Sequence, residues 1–245
     1  MTEGVLATAG PQDAERPLRM APLLFTAFSG SMAMMAFVVV VGPMARLLSL
    51  EPWHVGVTVT SAGVAWMVMA RFWGAGSDRL GRRRILMTAL AGFAVSYALL
   101  CAFMGAALHW LPSALICFLG MAAARTLAGA FYAAVPPVCT ALVADHTPPE
   151  RRTAAMGTMG AANALGMVVG PGAAGLLAAW SLSATLYAIA VLPAAAFVCI
   201  WLFLPRDRPH AARKAAPLKL ADSRLNRVVA TAFVAMFGVV IAQVV

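Results

Sequence analysis

The sequence predicts an all-α integral membrane protein, with six transmembrane helices in one bundle and the truncated start of a seventh. Three observations carry this. The chain is 62% hydrophobic and only 11% charged, with a mean hydropathy of +0.85, too little charge to cover the surface of a soluble domain of this length. Its apolar residues gather in runs of about the ~20 residues that take an α-helix across a bilayer. Its basic residues sit in the gaps between those runs, and the basic gaps share one side under a single topology, as the positive-inside rule requires. The net charge of +9 and the pI near 10.5 therefore read as membrane orientation and contact with anionic lipid heads. They do not read as a nucleic-acid surface.

Residues 1–20 form a polar tail carrying Glu3, Asp13 and Glu15. The tail lacks the basic start and small-residue cleavage site of a signal peptide, and Arg16 and Arg19 hold it inside. Residues 21–204 form the six-helix bundle. The first run, Pro22 to about Leu48, carries Arg46 near its far end, where the side chain can snorkel to the interface. The gap from Ser49 to His54 has no Lys or Arg and reads as external. The second run, Val55 to Trp73, leads to a strongly basic stretch, Gly74 to Arg84, expected as a tight loop. The third run, Ile85 to Leu108, returns to an external turn at 109–112.

The fourth run, Ser113 to about Ala144, is too long for one straight crossing at ~1.5 Å per residue. It predicts an inward projection with a bend at Pro136-Pro137. A charged internal gap follows, Asp145 to Arg152. The fifth run reaches Trp180, a short turn at 181–183 follows, and the sixth run ends near Leu204. Residues 205–227 are a basic cytoplasmic linker. Residues 228–245 read as the start of a seventh helix, still running at Val245, so the sequence looks like the first half of something larger.

The four cysteines, Cys101, Cys117, Cys139 and Cys199, lie in apolar runs, and the four histidines lie outside them. No spacing suggests a metal site or a redox pair. No Ser-His-Asp, Cys-His or phosphate-loop grouping suggests an enzyme.

The stretch Gly74-x-x-x-Asp78-Arg79-x-Gly81-Arg82-Arg83 organises the chain. Gly74 and Gly81 suit a tight turn, Asp78 suits a helix N-terminus, and the arginines suit carboxylate or phosphate partners. A loop serving orientation alone needs the arginines but not the glycines and the aspartate. The stretch resembles, over all those positions, the loop between helices 2 and 3 of the major facilitator superfamily. Gly76 stands where many members carry a larger apolar residue. In the fourth run, Arg125-Thr126-Leu127-Ala128-Gly129 resembles the family's helix-4 pattern, Arg-x-x-x-Gly. An Arg at mid-helix costs roughly 2.5 to 3.5 kcal/mol on insertion scales, and residues that costly usually face a cavity and act there. In the fifth run, Gly157, Gly166, Gly170-Pro171 and Ala174-Gly175 resemble the signature of the drug/proton antiporter branch, with Ala174 in place of its penultimate glycine. Gly166, Gly170 and Ala174 share one helical face that lets another helix approach closely, and Pro171 removes a backbone donor and bends the helix.

The resemblance implies a major-facilitator half bundle made of two inverted three-helix repeats. It implies export of a small organic molecule, a drug or a secreted metabolite such as a siderophore, by proton antiport with alternating access. The setting is the inner membrane, with the N-terminus cytoplasmic. Gating falls to Gly74, Asp78, Arg79, Gly81, Arg82, Arg83, Asp145, Gly157, Gly166, Gly170, Pro171 and Gly175. In relatives the arginine at the Arg82 position pairs with an acid at the Asp145 position, and the aspartate at the Asp78 position meets a helix of a C-terminal half. Substrate contact is expected from Arg125, facing a central cavity, and from Thr126, Tyr132, Asn163 and Trp66. Met67 and Met69 could add adaptable apolar contact. Partners are the bilayer, the substrate, protons and the missing C-terminal half; no cofactor beyond the proton gradient and no metal is expected. No carboxylate lies within a run, which leaves the proton-carrying group open. The alternatives are an importer on the same scaffold and an inactive, truncated half transporter.

Overall fold

The computed structural model describes residues 19–110 and 113–204. The expected tail, linker and seventh run fall outside these, apart from the junction residues. Helices begin and end where turn chemistry places them. α1, Met20–Leu47, ends at a turn in which Ser49 takes a positive φ of 53°. α2, Pro52–Leu80, starts on a proline whose missing N–H is no loss in a first turn, behind a reciprocal cap between Glu51 and His54. α3 spans Arg82–Trp110 and α4 spans Ala114–Tyr132. α5, Val135–His146, follows after only Ala133 and Ala134. α6 is Pro149–Ala178, and α7, Leu182–Phe203, is capped by Ser181 Oγ, which accepts from the Ala184 N–H at 3.2 Å.

α4 and α5 belong to one span, Ala114–His146, so the described helices give six spans long and apolar enough to cross a membrane. The chain is a multi-pass membrane protein. The bend expected at the proline pair appears as a break just before it. Pro136 and Pro137 have no N–H to donate to the carbonyls of Tyr132 and Ala133, so the helix lapses and restarts.

The basic stretch expected as a loop is helical almost throughout. α2 runs through Gly74 to Leu80 and α3 begins at Arg82, leaving Gly81 alone between them with φ 95° and ψ 139°. That conformation favours glycine, so Gly81 makes the turn and Gly74, inside α2 with open space at its Cβ position, does not. Asp78 is likewise in the last turn of α2 rather than at a helix start. It caps nothing there and pairs with Arg82 at 3.3 Å.

Numbered as spans, the main packing partners are 1 with 5 and 6, 2 with 4, and 3 with 4 and 6. Exchanging spans 1–3 for 4–6 in order returns the same set. Three crossings reverse the chain's direction, so the second repeat is inverted relative to the first. The core lies among spans 1, 3, 4 and 6, with Leu23, Val40 and Met44 of α1, Leu86, Phe93 and Leu100 of α3, Met121 of α4 and Ile200 of α7 fully buried. α2 and α6 are the least buried spans.

Glycines set the closest approaches. A Cβ on Gly170 would stand 2.6 Å from the Met32 carbonyl oxygen of α1, and one on Gly166 would strike the Phe28 carbonyl. In the symmetry-related pair, a Cβ on Gly129 of α4 would stand 2.6 Å from the Ala62 carbonyl of α2. Gly166, Gly170 and Ala174 are all buried, while Gly157 faces open space and Gly175 has only Val39 nearby, at 3.9 Å. Pro171 is held within α6, which remains one helix. Gly170→Val is expected to lower the melting temperature of the detergent-solubilised chain, at a cost of about 1–3 kcal/mol or more from overpacking. Gly157→Val is expected to stay within about 0.5 kcal/mol. Thermal unfolding followed by circular dichroism checks both.

Candidate functional site

At the basic end of the bundle, three helices meet through one guanidinium. Arg82, in the first turn of α3, donates from Nε to Asp145 Oδ2 of α5 at 2.5 Å and lies 3.3 Å from Asp78 Oδ1 of α2. The Asp145 side chain is 49% exposed and that of Asp78 is 66% exposed. Exposed pairs of this kind are worth only about 0–1 kcal/mol, so this tie adds little to stability. Arg83, one residue on, turns the other way. Its Nε–H donates to the Leu204 carbonyl at 2.9 Å and its Nη2 to Trp201 at 3.4 Å. Those are last-turn carbonyls of α7 with no intrahelical donor. Successive arginines thus tie the start of α3 to spans 4 and 6. Arg79 is exposed.

Deeper in the bundle, Arg125 is not on an open cavity as the sequence suggested. It is 3% exposed and pressed against α1. Its Nη2 donates to the Met34 carbonyl at 3.1 Å, its Nη1 contacts the Met34 sulfur at 3.0 Å, and the guanidinium carbon stands 4.4 Å from the centre of the Phe37 ring. The Tyr97 hydroxyl of α3 donates to the neighbouring Ala33 carbonyl. A desolvated guanidinium needs acceptors, and α1 supplies a carbonyl, a thioether and a ring face. The described carboxylates, Glu51, Asp78, Asp145 and Glu150, lie at or beside helix ends. Arg125 Nε has no hydrogen-bond partner among the described residues.

Of the other expected contact residues, Tyr132 and Asn163 come together through Ser31, which the sequence reading missed. The Ser31 hydroxyl is 3.1 Å from the Tyr132 hydroxyl and hydrogen-bonds Asn163 Oδ1, joining α1, α4 and α6. The available signal was Ser29-Gly30-Ser31, a polar interruption in the middle of an apolar run. Trp66 lies 6.2 Å from Tyr132, ring centre to ring centre. Thr126 stands apart from this group, 2.9 Å from Ser61 Oγ across the α2–α4 contact.

Beside the cluster runs an open groove of about 750 Å³. One wall is α2, with Gly63, Trp66, Met67 and Ala70. The other is Ala133 and α5, with Pro136, Pro137, Thr140, Ala141 and Ala144, and Met156 of α6 contributes to the lining. Met67 lines it; Met69 does not.

A six-span bundle of inverted repeats, with a Gly81 turn bracketed by Asp78 and Arg82, is matched by a family model for the Major Facilitator Superfamily over residues 23–245. The chain belongs to the Major Facilitator Superfamily. Among curated superfamily relatives, it is 34% identical over 166 residues to the tetracycline resistance protein, class C, of Escherichia coli, covering 68% of this chain and 38% of that one. It is 30% identical over 165 residues to the gallate transporter of Pseudomonas putida, covering 65% of this chain and 33% of that one. Its fold is similar to the crystal structure of the human organic anion transporter MFSD10 (TETRAN), with a TM-score of 0.57 at 25% identity, over 78% of this chain and 48% of that one. The chain therefore spans less than half the length of each of these relatives. All three are named as transporters or resistance proteins, and none as an enzyme.

Replacing a buried ion by an apolar side chain of similar length is often neutral or stabilising. Arg125→Met is therefore expected to leave the melting temperature unchanged or raised. Arg125→Ala, which leaves a void, is expected to lose about 2 kcal/mol or more. Thermal unfolding of the purified variants distinguishes the two.

Proposed function

We propose that this chain supplies the N-terminal half of an exporter. It would carry a small organic molecule, a drug or a secreted metabolite such as a siderophore, out of the cell in exchange for protons. The carrier works by alternating access across the inner membrane, with the N-terminus and the Arg82–Asp145 end in the cytoplasm. The observation that carries this reading is the Arg82–Asp145 pair at 2.5 Å, an exposed tie between α3 and the separately hinged α5. The resemblance to a tetracycline resistance protein supports the direction of transport.

In this reading Arg82 and Asp145 latch the inner side in one state and part in the other, while Gly81 is the pivot and Arg83 keeps α3 and α7 together. Gly74, Asp78 and Arg79 face a C-terminal half, and Asp78 trades Arg82 for a partner there. Gly166 and Gly170, with Pro171 beside them, seat α6 closely on α1 so that the two move as one body, while Gly157 and Gly175 lie outside that contact. Trp66, Tyr132 and Asn163 meet the substrate, with Thr126 beside them. Arg125 holds α1 and α4 together. No carboxylate lies deep within the described spans, so protons enter through Asp78 and Asp145 at the inner edge or through the other half. The second reading is import of a small organic molecule on the same scaffold.

Everted membrane vesicles from cells expressing the whole carrier test this, with tetracycline as the probe and an acid-inside gradient. Export predicts probe accumulation in the vesicles; uptake only by intact cells would favour import. Arg82→Asp and Asp145→Arg should each lose most of the transport, and the double reversal should regain part of it. Asp78→Asn should abolish transport with little loss of expression. Wild-type rates in the single charge reversals would remove the latch.

A further inference from the structure

We infer that the groove between α2 and α5 is a binding site for a flat, uncharged aromatic molecule carrying a phenol or ketone oxygen, and that this half of the carrier does not select its substrate by charge. The inference rests on the carrier reading above and narrows its substrate class.

The groove has the size of a small-molecule site, and its lining contains no charged side chain. The one buried charge among the described residues, Arg125, is turned away onto Met34 and Phe37 of α1. An anion in the groove would be desolvated with nothing to compensate it. The lining holds two polar side-chain groups. Thr140 is already engaged, its hydroxyl donating to the Pro136 carbonyl at 2.6 Å. The Trp66 indole N–H has no hydrogen-bond partner among the described residues. The lining therefore holds one side-chain donor without a partner among the described residues, on Trp66, which is 42% exposed and shares the lining with the flexible Met67 and Met156. A flat ring stacks on that indole, the thioethers adapt to its outline, and a neutral oxygen takes the N–H. Recognition by an indole face and a single donor is tolerant of outline but not of charge.

Site-directed alkylation tests this without requiring transport, so its failure and the failure of the carrier reading are separable. Thr140→Cys, in the groove wall, is labelled with N-ethylmaleimide in membranes, and the labelled peptide is quantified by mass spectrometry. The probes are 1-naphthol and 1-naphthalenesulfonate, the same ring system without and with a fixed charge. Val191→Cys, exposed on α7 away from the groove, reports simple partitioning into the membrane. The expected result is that 1-naphthol slows labelling severalfold at position 140 and not at 191, and that the sulfonate does not. Trp66→Ala should raise the naphthol concentration needed by about tenfold, and Trp66→Phe, which keeps the stacking face, by less. Equal protection by the sulfonate would overturn the inference. So would equal protection at position 191, or no protection by naphthol at all. A Thr140→Cys site that resists alkylation without any probe would mean that protein covers the groove, and would overturn it too.

Discussion

The architecture depends on how closely two pairs of helices approach each other. In a bilayer the lipid tails are as apolar as any leucine, so helices gain little by hiding apolar side chains from them; packing contact must hold them together. Spans 1 and 5 achieve this where Gly166 and Gly170 lie against the carbonyls of Phe28 and Met32, and spans 2 and 4 where Gly129 lies against Ala62. The two contacts correspond under the exchange of repeats. Each seats one helix of a repeat against one of the other, so neither three-helix unit closes alone. Spans 3 and 6, which pack on each other, complete the core with large side chains such as Phe93 and Ile200.

Against this rigid middle, the ties at the basic end are of another kind. Arg82 and Asp145 meet in partial solvent, where the attraction is screened and the side-chain ordering cost is similar in size. The glycine contacts cannot yield by small degrees, because backbone stands against backbone. The Arg82 tie is between side chains, and the elements it joins are discontinuous. Gly81 interrupts the path between α2 and α3, and the proline pair interrupts span 4 just before α5. The strong contacts thus lie away from the joints and the weak ones at them.

How much of this was legible in the sequence depended on what each residue type determines by itself. Run length and the placement of basic residues located the spans, because crossing a bilayer constrains length directly. The break in span 4 was legible because Pro136 and Pro137 delete specific donors. The stretch after Trp73 misled, because a dense cluster of glycine and arginine suggests a loop. Most of those residues are nevertheless compatible with helix, and only Gly81 adopts a conformation that ends one. Ser31 was missed for a related reason. A serine in a helix commonly bonds its own preceding turn, and Ser31 does lie 2.7 Å from the Ala27 carbonyl; its second role, joining Tyr132 and Asn163, depends on which helices become neighbours.

Arg125 shows the limit most clearly. Its position in an apolar run announces a large desolvation cost, and cost is usually a mark of function. But the sequence cannot say what offsets the cost. Had a carboxylate stood opposite, Arg125 would be half of an ion pair that a proton or a substrate could split. The structure instead meets it with a carbonyl, a sulfur and an aromatic face, all from α1. Those partners do not titrate. They hold the guanidinium to one helix, and Tyr97 holds the carbonyl one residue before. The buried charge therefore acts as a fastener between span 4 and span 1. The titratable carboxylates among the described residues lie elsewhere, at or beside the helix ends.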